Sequence, residues 1–209
     1  MADVATKPQT RAKGQETARR VRKAALRRFA ATGYAAVSMR EIASDVGVRP
    51  GALYNHFPTK QDILKDLLLS HMTDLLEAWE TAVFSDDTDP LEQFVRFHIR
   101  YHLERADEVF ISYMELRNLE PQNFSLVEAE RRRYEAILTG ILQKGASEGR
   151  YDIDDAKVTT RAIIAMLTGI PTWYREGGHL SEQEIEDLYL TMVRKTVAPV
   201  SVQSQTETG

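Results

Sequence analysis

The chain has 209 residues, of which 43% are apolar and 28% charged, a composition typical of a globular protein with a sizeable core. It contains no cysteine, which excludes disulfides, thiolate catalysis and cysteine-based zinc fingers and favours a cytoplasmic location. No apolar run is long enough to span a bilayer, and the polar start is unlike a secretory signal, so we expect no membrane partner.

The charge is distributed unevenly along the chain. Residues 1–60 contain 12 Lys or Arg and 4 Asp or Glu, a balance of +8, whereas the rest of the chain has a balance of −12. A basic module on an acidic body is typical of nucleic-acid binding confined to one part of a protein. The alternative is that the basic residues of the first helix only keep its surface solvated.

The first segment predicts an arm and a helix. Residues 1–14 have no apolar periodicity and carry three basic residues, so we expect a disordered basic arm that adds non-specific attraction to phosphates. A helix is predicted from 15 to 31, because apolar residues recur four apart at Val21, Ala25 and Phe29.

The next stretch, residues 38–60, has the pattern of a helix-turn-helix. Ser38 and Glu41 form a capping box that begins one helix, and Gly47 supplies a residue that ends it in a left-handed conformation. Pro50 suits the first position of a second, short helix over 50–56. Two short helices joined at a glycine turn are typical of a motif whose second helix enters the major groove of DNA.

These residues closely resemble the DNA-binding domain of TetR-family transcriptional regulators. The resemblance covers 33–60 and includes the pattern G-V-x-x-G-x-L-Y-x-H-F-x-x-K, which begins here at Gly47 and ends at Lys60. It implies that the second helix faces the groove and that Tyr54, His56 and Lys60 contact phosphates. The predicted DNA-binding residues are Arg40, Arg49, Pro50, Gly51, Ala52, Tyr54, Asn55, His56 and Lys60. Arg49-Pro50 departs from the small capping residue that is more usual in the family.

The remainder predicts helices throughout. Thr59 and Asp62 cap a long helix over 60–84, and further helices are predicted at 91–105, 107–119, 123–149, 154–175 and 181–198. No segment alternates with period two, so the fold class is all-α. We expect a DNA-binding domain at 15–60 with three helices, a larger ligand-binding and dimerisation domain at 61–199, and a disordered tail at 200–209.

The last two helices predict a dimer. Ile185, Leu188, Tyr189 and Met192 follow the spacing of an apolar helix face, and the preceding helix is apolar on more than one side. In TetR-like proteins the final two helices form a four-helix bundle with a second subunit, which implies a homodimer that matches a pseudo-palindromic operator. The alternative is two ordinary core helices of a monomer.

No catalytic constellation supports an enzyme. His98 and His102 share a helix face with the spacing of metal ligands, but no third ligand follows in a recognised pattern, and we expect neither a metal nor another cofactor. Carboxylate runs such as 182–186 are interpreted as solvated helix faces. A helical enzyme or metalloprotein using His98 and His102 remains the alternative from another functional class.

The body has the composition of a ligand site, because aromatic residues and a few polar groups occur on the same helices. Segments at 114–123, 128–135 and 168–181 resemble the ligand domain of TetR-family members that respond to acyl-CoA thioesters and control lipid, sterol or aromatic-acid catabolism. The predicted ligand-binding residues are Phe97, His98, Tyr101, Tyr113, Met114, Arg117, Tyr134, Trp173, Tyr174 and Arg175.

The sequence therefore predicts a homodimeric repressor that binds double-stranded operator DNA and is released by a small-molecule inducer. An acyl-CoA is the inducer that the resemblance implies. A second possibility within the same family is a regulator of a multidrug efflux pump that responds to hydrophobic drugs.

Overall fold

The computed structural model describes residues 7–198 and the side chains of residues 14–198. Over this range the chain is helical and contains no β-strand, which confirms the predicted all-α class. The α-helices within this range are α1 (Lys7–Thr32), α2 (Met39–Val46), α3 (Pro50–Tyr54), α4 (Lys60–Thr81), α5 (Pro90–Leu103), α6 (Ala106–Met114), α7 (Pro121–Ser147), α8 (Ala156–Thr168) and α9 (Glu182–Val197).

The first helix begins earlier than predicted. Residues 7–14 belong to α1, so the expectation of a disordered arm was wrong for this part. Gln, Arg, Ala and Lys in this stretch have high helix propensity, and Pro8 lies in the first turn, where proline is tolerated. Residues 1–6 and the tail predicted at 200–209 lie outside the described residues.

Two helices give way to 3₁₀ turns several residues before their predicted ends. The helix expected at 107–119 ends at Met114 and continues as a 3₁₀ turn, Leu116–Asn118. The helix expected at 154–175 ends at Thr168 and is followed by a 3₁₀ turn, Ile170–Thr172. Pro171 explains the second break, because its ring clashes with the carbonyl four residues earlier and it has no N–H to donate.

The described residues divide into two compact units. The first unit contains the residues up to Glu80 together with Arg105–Arg131, and the second contains Thr81–Glu104 and the residues from Arg132 onward. The predicted boundary after residue 60 therefore differs from the compact units. Residues 61–80 and 105–131 group with the helix-turn-helix rather than with the remaining helices.

The core of the first unit explains this grouping. Buried side chains of α1 to α4, such as Phe29, Ile42, Leu53 and Leu68, pack in one cluster. The same cluster contains Ile111 of α6, Leu119 of the following turn and Val127 of α7. Apolar periodicity identifies the buried face of a helix but not its partner, so the sequence did not reveal this contribution.

The second unit is built around α5. This helix contacts α8, α9 and the turn at 170–172, and it buries Phe94 and Ile99. Glu186 of α9 is 1% exposed and pairs with Arg96 and Arg100 of α5; its Oε2 lies 2.7 Å from Arg100 Nη2. The interpretation of 182–186 as a fully solvated face was therefore wrong at Glu186, because two guanidinium groups compensate the burial of its charge.

Candidate functional site

Both ends of α2 and the start of α3 form as the local sequence predicts. The Glu41 backbone N–H donates to Ser38 Oγ at 3.3 Å, and the Ser38 N–H donates to Glu41 Oε2 at 2.7 Å, which completes the capping box. Gly47 has φ = 69°, a left-handed value that a glycine adopts without strain. Pro50 occupies the first position of α3.

One side of α3 anchors it and the other faces solvent. Leu53 and Phe57 are buried in the core of the first unit, which fixes the rotation of the helix. The predicted DNA-binding residues come from α2, from α3 and its ends, and from the start of α4. Tyr54 is 47% exposed, and Arg40, Arg49, Pro50, Gly51 and Asn55 are also exposed, with Ala52, His56 and Lys60 partly buried.

An open groove adjoins this surface. It has a volume of about 620 Å³ and brings three of the predicted DNA-binding residues together, although they are up to 20 positions apart. Arg40 contributes a cation, Tyr54 a phenol and Lys60 an ammonium group. The groove is lined by Ala35, Ala36, Val37, Ser38, Met39, Arg40, Tyr54 and Lys60.

Lys60 also has a structural task. Its Nζ donates to the carbonyl oxygens of Tyr34 and Val37, each at 2.8 Å, and lies 4.2 Å from the centre of the Tyr34 ring. Burial lowers the pKa of Lys60, and the charges of Glu115 and Glu41 oppose that shift. The ammonium group therefore holds the 34–37 turn that precedes α2, and its predicted phosphate contact remains a prediction.

Several arginines of α1 form contacts within the first unit. Arg22 pairs with Asp66 of α4, Arg28 pairs with Asp45 of α2, and Arg20 donates to the Val46 carbonyl at the end of α2. The basic balance of residues 1–60 thus serves two purposes. Part of it joins helices, and exposed residues such as Arg40 and Arg49 remain on the outer surface.

In the second unit, buried polar groups meet between three helices. His98 of α5 lies 3.1 Å from Tyr134 Oη on α7 through Nδ1, and 3.1 Å from Thr168 Oγ1 on α8 through Nε2. His102 hydrogen-bonds to the His98 carbonyl oxygen at 2.8 Å through Nδ1, and the two imidazole rings stack with centres 3.8 Å apart. The sequence identified His98 and Tyr134; Thr168 was recognised only as part of a resembling segment.

The remaining predicted ligand-binding residues fall into separate groups. Phe97 and Tyr101 stack on α5 with ring centres 5.8 Å apart. Trp173 is 47% exposed and stacks on Tyr189 of α9, with Tyr174 edge-on to it. Arg175 donates to the carbonyl oxygens of Thr172 and Tyr174.

Three predicted ligand-binding residues belong to the first unit, namely Tyr113, Met114 and Arg117. The guanidinium carbon of Arg131 lies 4.8 Å from the centre of the Tyr113 ring. Met114 is 49% exposed at the end of α6. The ten predicted residues therefore do not lie within a single compact unit.

Residues 7–198 contain no helix that is long and apolar enough to cross a membrane. Within the same range, no three His, Asp or Glu side chains are grouped so that they could hold a metal ion. His98 joins α5 to α7 and α8, and His102 packs against it within α5.

Together, a helix-turn-helix with an accessible second helix and a separate helical unit define a DNA-binding regulator. Residues 21–67 match the profile of the family described as bacterial regulatory proteins, tetR family. Residues 85–197, more than half of the chain, match that of the tetracyclin repressor-like C-terminal domain. The chain belongs to the TetR family, whose members regulate transcription and are not enzymes.

Similar proteins of the family are named as repressors. The HTH-type transcriptional repressor KstR2 of Mycolicibacterium smegmatis is 29% identical over 173 residues, which cover 79% of this chain and 82% of the relative. KstR2 of Rhodococcus jostii is 25% identical over 169 residues, covering 79% and 83%. The chain is accordingly a transcriptional repressor of the TetR type.

Solved structures share the fold. A tetR-family regulatory protein from Rhodococcus RHA1 has a TM-score of 0.80 at 29% identity, covering 87% of this chain and 97% of that one. PfmR from Thermus thermophilus has a TM-score of 0.73 at 29% identity, covering 84% and 97%. AibR in complex with isovaleryl coenzyme A and operator DNA has a TM-score of 0.71 at 23% identity, covering 84% and 97%.

Proposed function

We propose that the chain acts as a homodimer on a pseudo-palindromic operator and leaves the DNA when an acyl-CoA thioester binds its ligand domain. The observation that carries the DNA part is the groove that joins Arg40, Tyr54 and Lys60 beside the exposed face of α3. Cationic and hydroxyl groups beside a groove-entering helix suit contacts to the sugar-phosphate backbone. The exposed residues of α3 then meet base edges in the major groove.

The dimer contact that we propose uses α8 and α9. Val158 of α8 is 62% exposed, and Leu188 and Met192 of α9 are 46% and 47% exposed, so both helices present large apolar side chains to solvent. Ala162 and Ala165 are exposed on α8 as well, and small residues let two helices approach closely. A second copy is the partner that fits, because a two-fold axis presents two copies of α3 to the two half-sites of a palindrome.

The ligand part draws on the chemistry of the second unit and on similar proteins. The aromatic rings of Phe97, Tyr101 and Trp173 suit contact with an apolar acyl group. The hydroxyl and imidazole groups around His98 suit hydrogen bonds to oxygens of the ligand, such as the thioester carbonyl. AibR, which shares the fold, holds isovaleryl coenzyme A, and KstR2 of Mycobacterium tuberculosis is described as a ketosteroid regulator. These names support an acyl-CoA from lipid or sterol catabolism.

Release requires the inducer to prefer a conformation that binds DNA poorly. An inducer with equal affinity for both conformations shifts nothing, however tightly it binds. In our proposal the preferred conformation has a separation of the two α3 helices that misfits the half-sites, and α4, which begins at Lys60, carries the change.

The DNA contacts are tested by fluorescence anisotropy with a duplex that the protein selects from a random pool. Arg40→Ala removes one phosphate contact and is expected to reduce the slope of log K against log salt by about 1. Lys144→Ala, which removes an exposed cation of α7, serves as the matched control and should leave the slope unchanged. Equal slopes for all three proteins would place the phosphate contacts elsewhere.

The inducer is tested by titrating the protein–duplex complex with acyl-CoAs, the matching free acids, CoA alone and planar hydrophobic drugs. We expect release by thioesters only, and weaker release with Trp173→Ala and with Tyr134→Phe, which removes only the hydroxyl near His98. If the free acids release the DNA as effectively as the thioesters, the CoA group is not needed, and that part of the proposal is wrong. Release by the drugs alone would favour the efflux-pump regulator.

A further inference from the structure

The connection between α6 and α7 docks onto the helix-turn-helix within the first unit. This connection, which we define as the 115–123 segment, contains the 3₁₀ turn and the start of α7. Leu119 contributes to the same buried cluster as Phe29 and Ile42, and Leu116 packs against that cluster, as does Phe124 directly after the segment. The segment therefore packs on the DNA-binding part although it is more than 50 residues away from it in sequence.

Glu115 makes the first polar link. It is 7% exposed, and its Oε1 accepts a hydrogen bond from the Tyr34 backbone N–H at 3.0 Å. Its other oxygen accepts from Asn118 Nδ2, which fixes the carboxylate against its own turn. Gly33, which precedes Tyr34, has φ = 83°, a left-handed value that favours glycine.

Gln61 makes the second link from the first turn of α4. Its Nε2 donates to Tyr34 Oη at 3.0 Å and to the Asn118 carbonyl oxygen at 2.6 Å. Its Oε1 accepts from the Glu120 backbone N–H at 3.1 Å. One amide side chain therefore joins the 33–37 turn to the 115–123 segment through both of its polar atoms.

The turn held in this way leads directly into the DNA-binding surface. Val37 precedes Ser38, the N-cap of α2, and residues 35–40 form one wall of the groove that contains Arg40 and Tyr54. Lys60 also holds this turn by donating to the carbonyl oxygens of Tyr34 and Val37. A change in the position of the 115–123 segment would thus move the groove wall and the start of α2.

We propose that Glu115 and Gln61 are positioning residues for operator recognition, through which the 115–123 segment and the DNA-binding surface are coupled. The inference rests on the proposed role of α3 in binding DNA. Since coupling is reciprocal, operator binding must also change the 115–123 segment.

The test measures amide hydrogen exchange and duplex affinity on the full chain, using a duplex selected by the parent and a scrambled duplex of equal length. In the parent, the selected duplex is expected to protect 115–123 more than the scrambled duplex does. Glu115→Ala removes a hydrogen bond to a charged group. We therefore expect this variant to bind the selected duplex about tenfold more weakly and to lose the added protection of 115–123. Its affinity for the scrambled duplex should stay unchanged, which separates positioning from general destabilisation.

Three further variants complete the experiment. Glu115→Gln retains an oxygen that can accept from the Tyr34 N–H and should restore most of the affinity, whereas Glu120→Ala removes a neighbouring exposed carboxylate and should behave as the parent. If Glu115→Ala does not fold, Gln61→Ala tests the same coupling from α4. Parent-like affinity and protection in Glu115→Ala or Gln61→Ala would overturn the inference, as would equal protection by both duplexes in the parent. Failure of the parent to select any duplex would instead contradict the proposed function.

Discussion

Two glycines of α7 have opposite surroundings. Gly145 is buried, and a Cβ at this position would overlap the ring of Tyr151, whose hydroxyl lies 3.2 Å from both carboxylate oxygens of Asp89. Gly140 is exposed, and a Cβ there would meet nothing within 4 Å. The same substitution at the two positions therefore separates packing from helix propensity.

We expect Gly145→Ala to lower the free energy of unfolding by about 1–3 kcal/mol, because the ring must shift from a position fixed by its hydroxyl. Gly140→Ala should raise it by about 0.5–1 kcal/mol, since alanine loses less backbone entropy than glycine in a helix. Urea unfolding followed by circular dichroism measures both changes. Equal effects at the two positions would contradict the packing of Tyr151 against α7.

His71 of α4 predicts a pH-dependent stability. The imidazole is 5% exposed; burial lowers its pKa to about 4, and the positive charges of Arg105 and Arg131 act in the same direction. An unfolded histidine has a pKa of about 6.5. As the pH falls through the interval between these values, the unfolded chain binds a proton that the folded chain does not, so stability decreases.

Because of His71, the free energy of unfolding should fall by about 2 kcal/mol as the pH is lowered from about 7 to about 5. His71→Gln, which has no proton to bind in this range, should remove that part of the pH dependence. Urea midpoints of the two proteins at both pH values provide the measurement. An identical loss in the parent and in His71→Gln would show that other groups cause it.

Residues whose role depends on near neighbours were predictable, and those with distant partners were not. The Ser38 capping box and the left-handed Gly47 follow from local backbone rules and are confirmed. The contacts of Lys60 and Glu115 reach residues 23 to 81 positions away, and no local pattern contains that information. The spacing of His98 and His102 was visible in the sequence, but the hydrogen bonds of His98 to α7 and α8 depend on the fold.

At the scale of the element, α9 has two apolar faces with different surroundings. Ile185, Val193 and Val197 are buried within the second unit, whereas Leu188 and Met192 lie one turn apart on the exposed side. The sequence showed one broad apolar stripe, and the structure divides it between the core and the proposed dimer contact. Packing within the second unit alone would require only the buried apolar residues of α9.

The double variant Leu188→Glu/Met192→Glu is expected to dissociate the dimer, because burying unpaired carboxylates costs several kcal/mol per ion. Analytical ultracentrifugation should show a monomer that retains its helical circular dichroism. Gln183→Glu/Thr191→Glu adds two carboxylates at exposed positions of the same helix and serves as the control. A stable dimer of the first variant would exclude these residues from the interface.

Helix starts were predictable where a capping box determines them, whereas some helix ends were not, such as the end of α8 at Thr168 before Pro171. Ser181 with Glu184 begins α9 as predicted, while α1 extends to Lys7, into residues that have no apolar periodicity. Apolar periodicity predicts which face of a helix is buried, whereas helix formation also depends on the intrinsic propensity of the residues.

For the molecule as a whole, helical periodicity predicted the all-α fold class and the family resemblance of residues 33–60 predicted a repressor of the TetR type, and both are confirmed. It did not predict that Ile111, Leu119 and Val127 complete the core around the helix-turn-helix. The DNA-binding part is thus larger than the motif that identifies it. Long-range packing of this kind depends on which helices meet, which single-sequence patterns do not encode.

The central claim is that two copies of the chain read an inverted pair of half-sites through α3. Selection of duplexes from a random pool by the full chain, followed by sequencing, tests it most directly. We predict enrichment of a pseudo-palindrome whose half-site centres are separated by roughly one helical turn of DNA, about 34 Å, or somewhat more. Enrichment of a single half-site without its inverted copy, or no enrichment at all, would contradict the account.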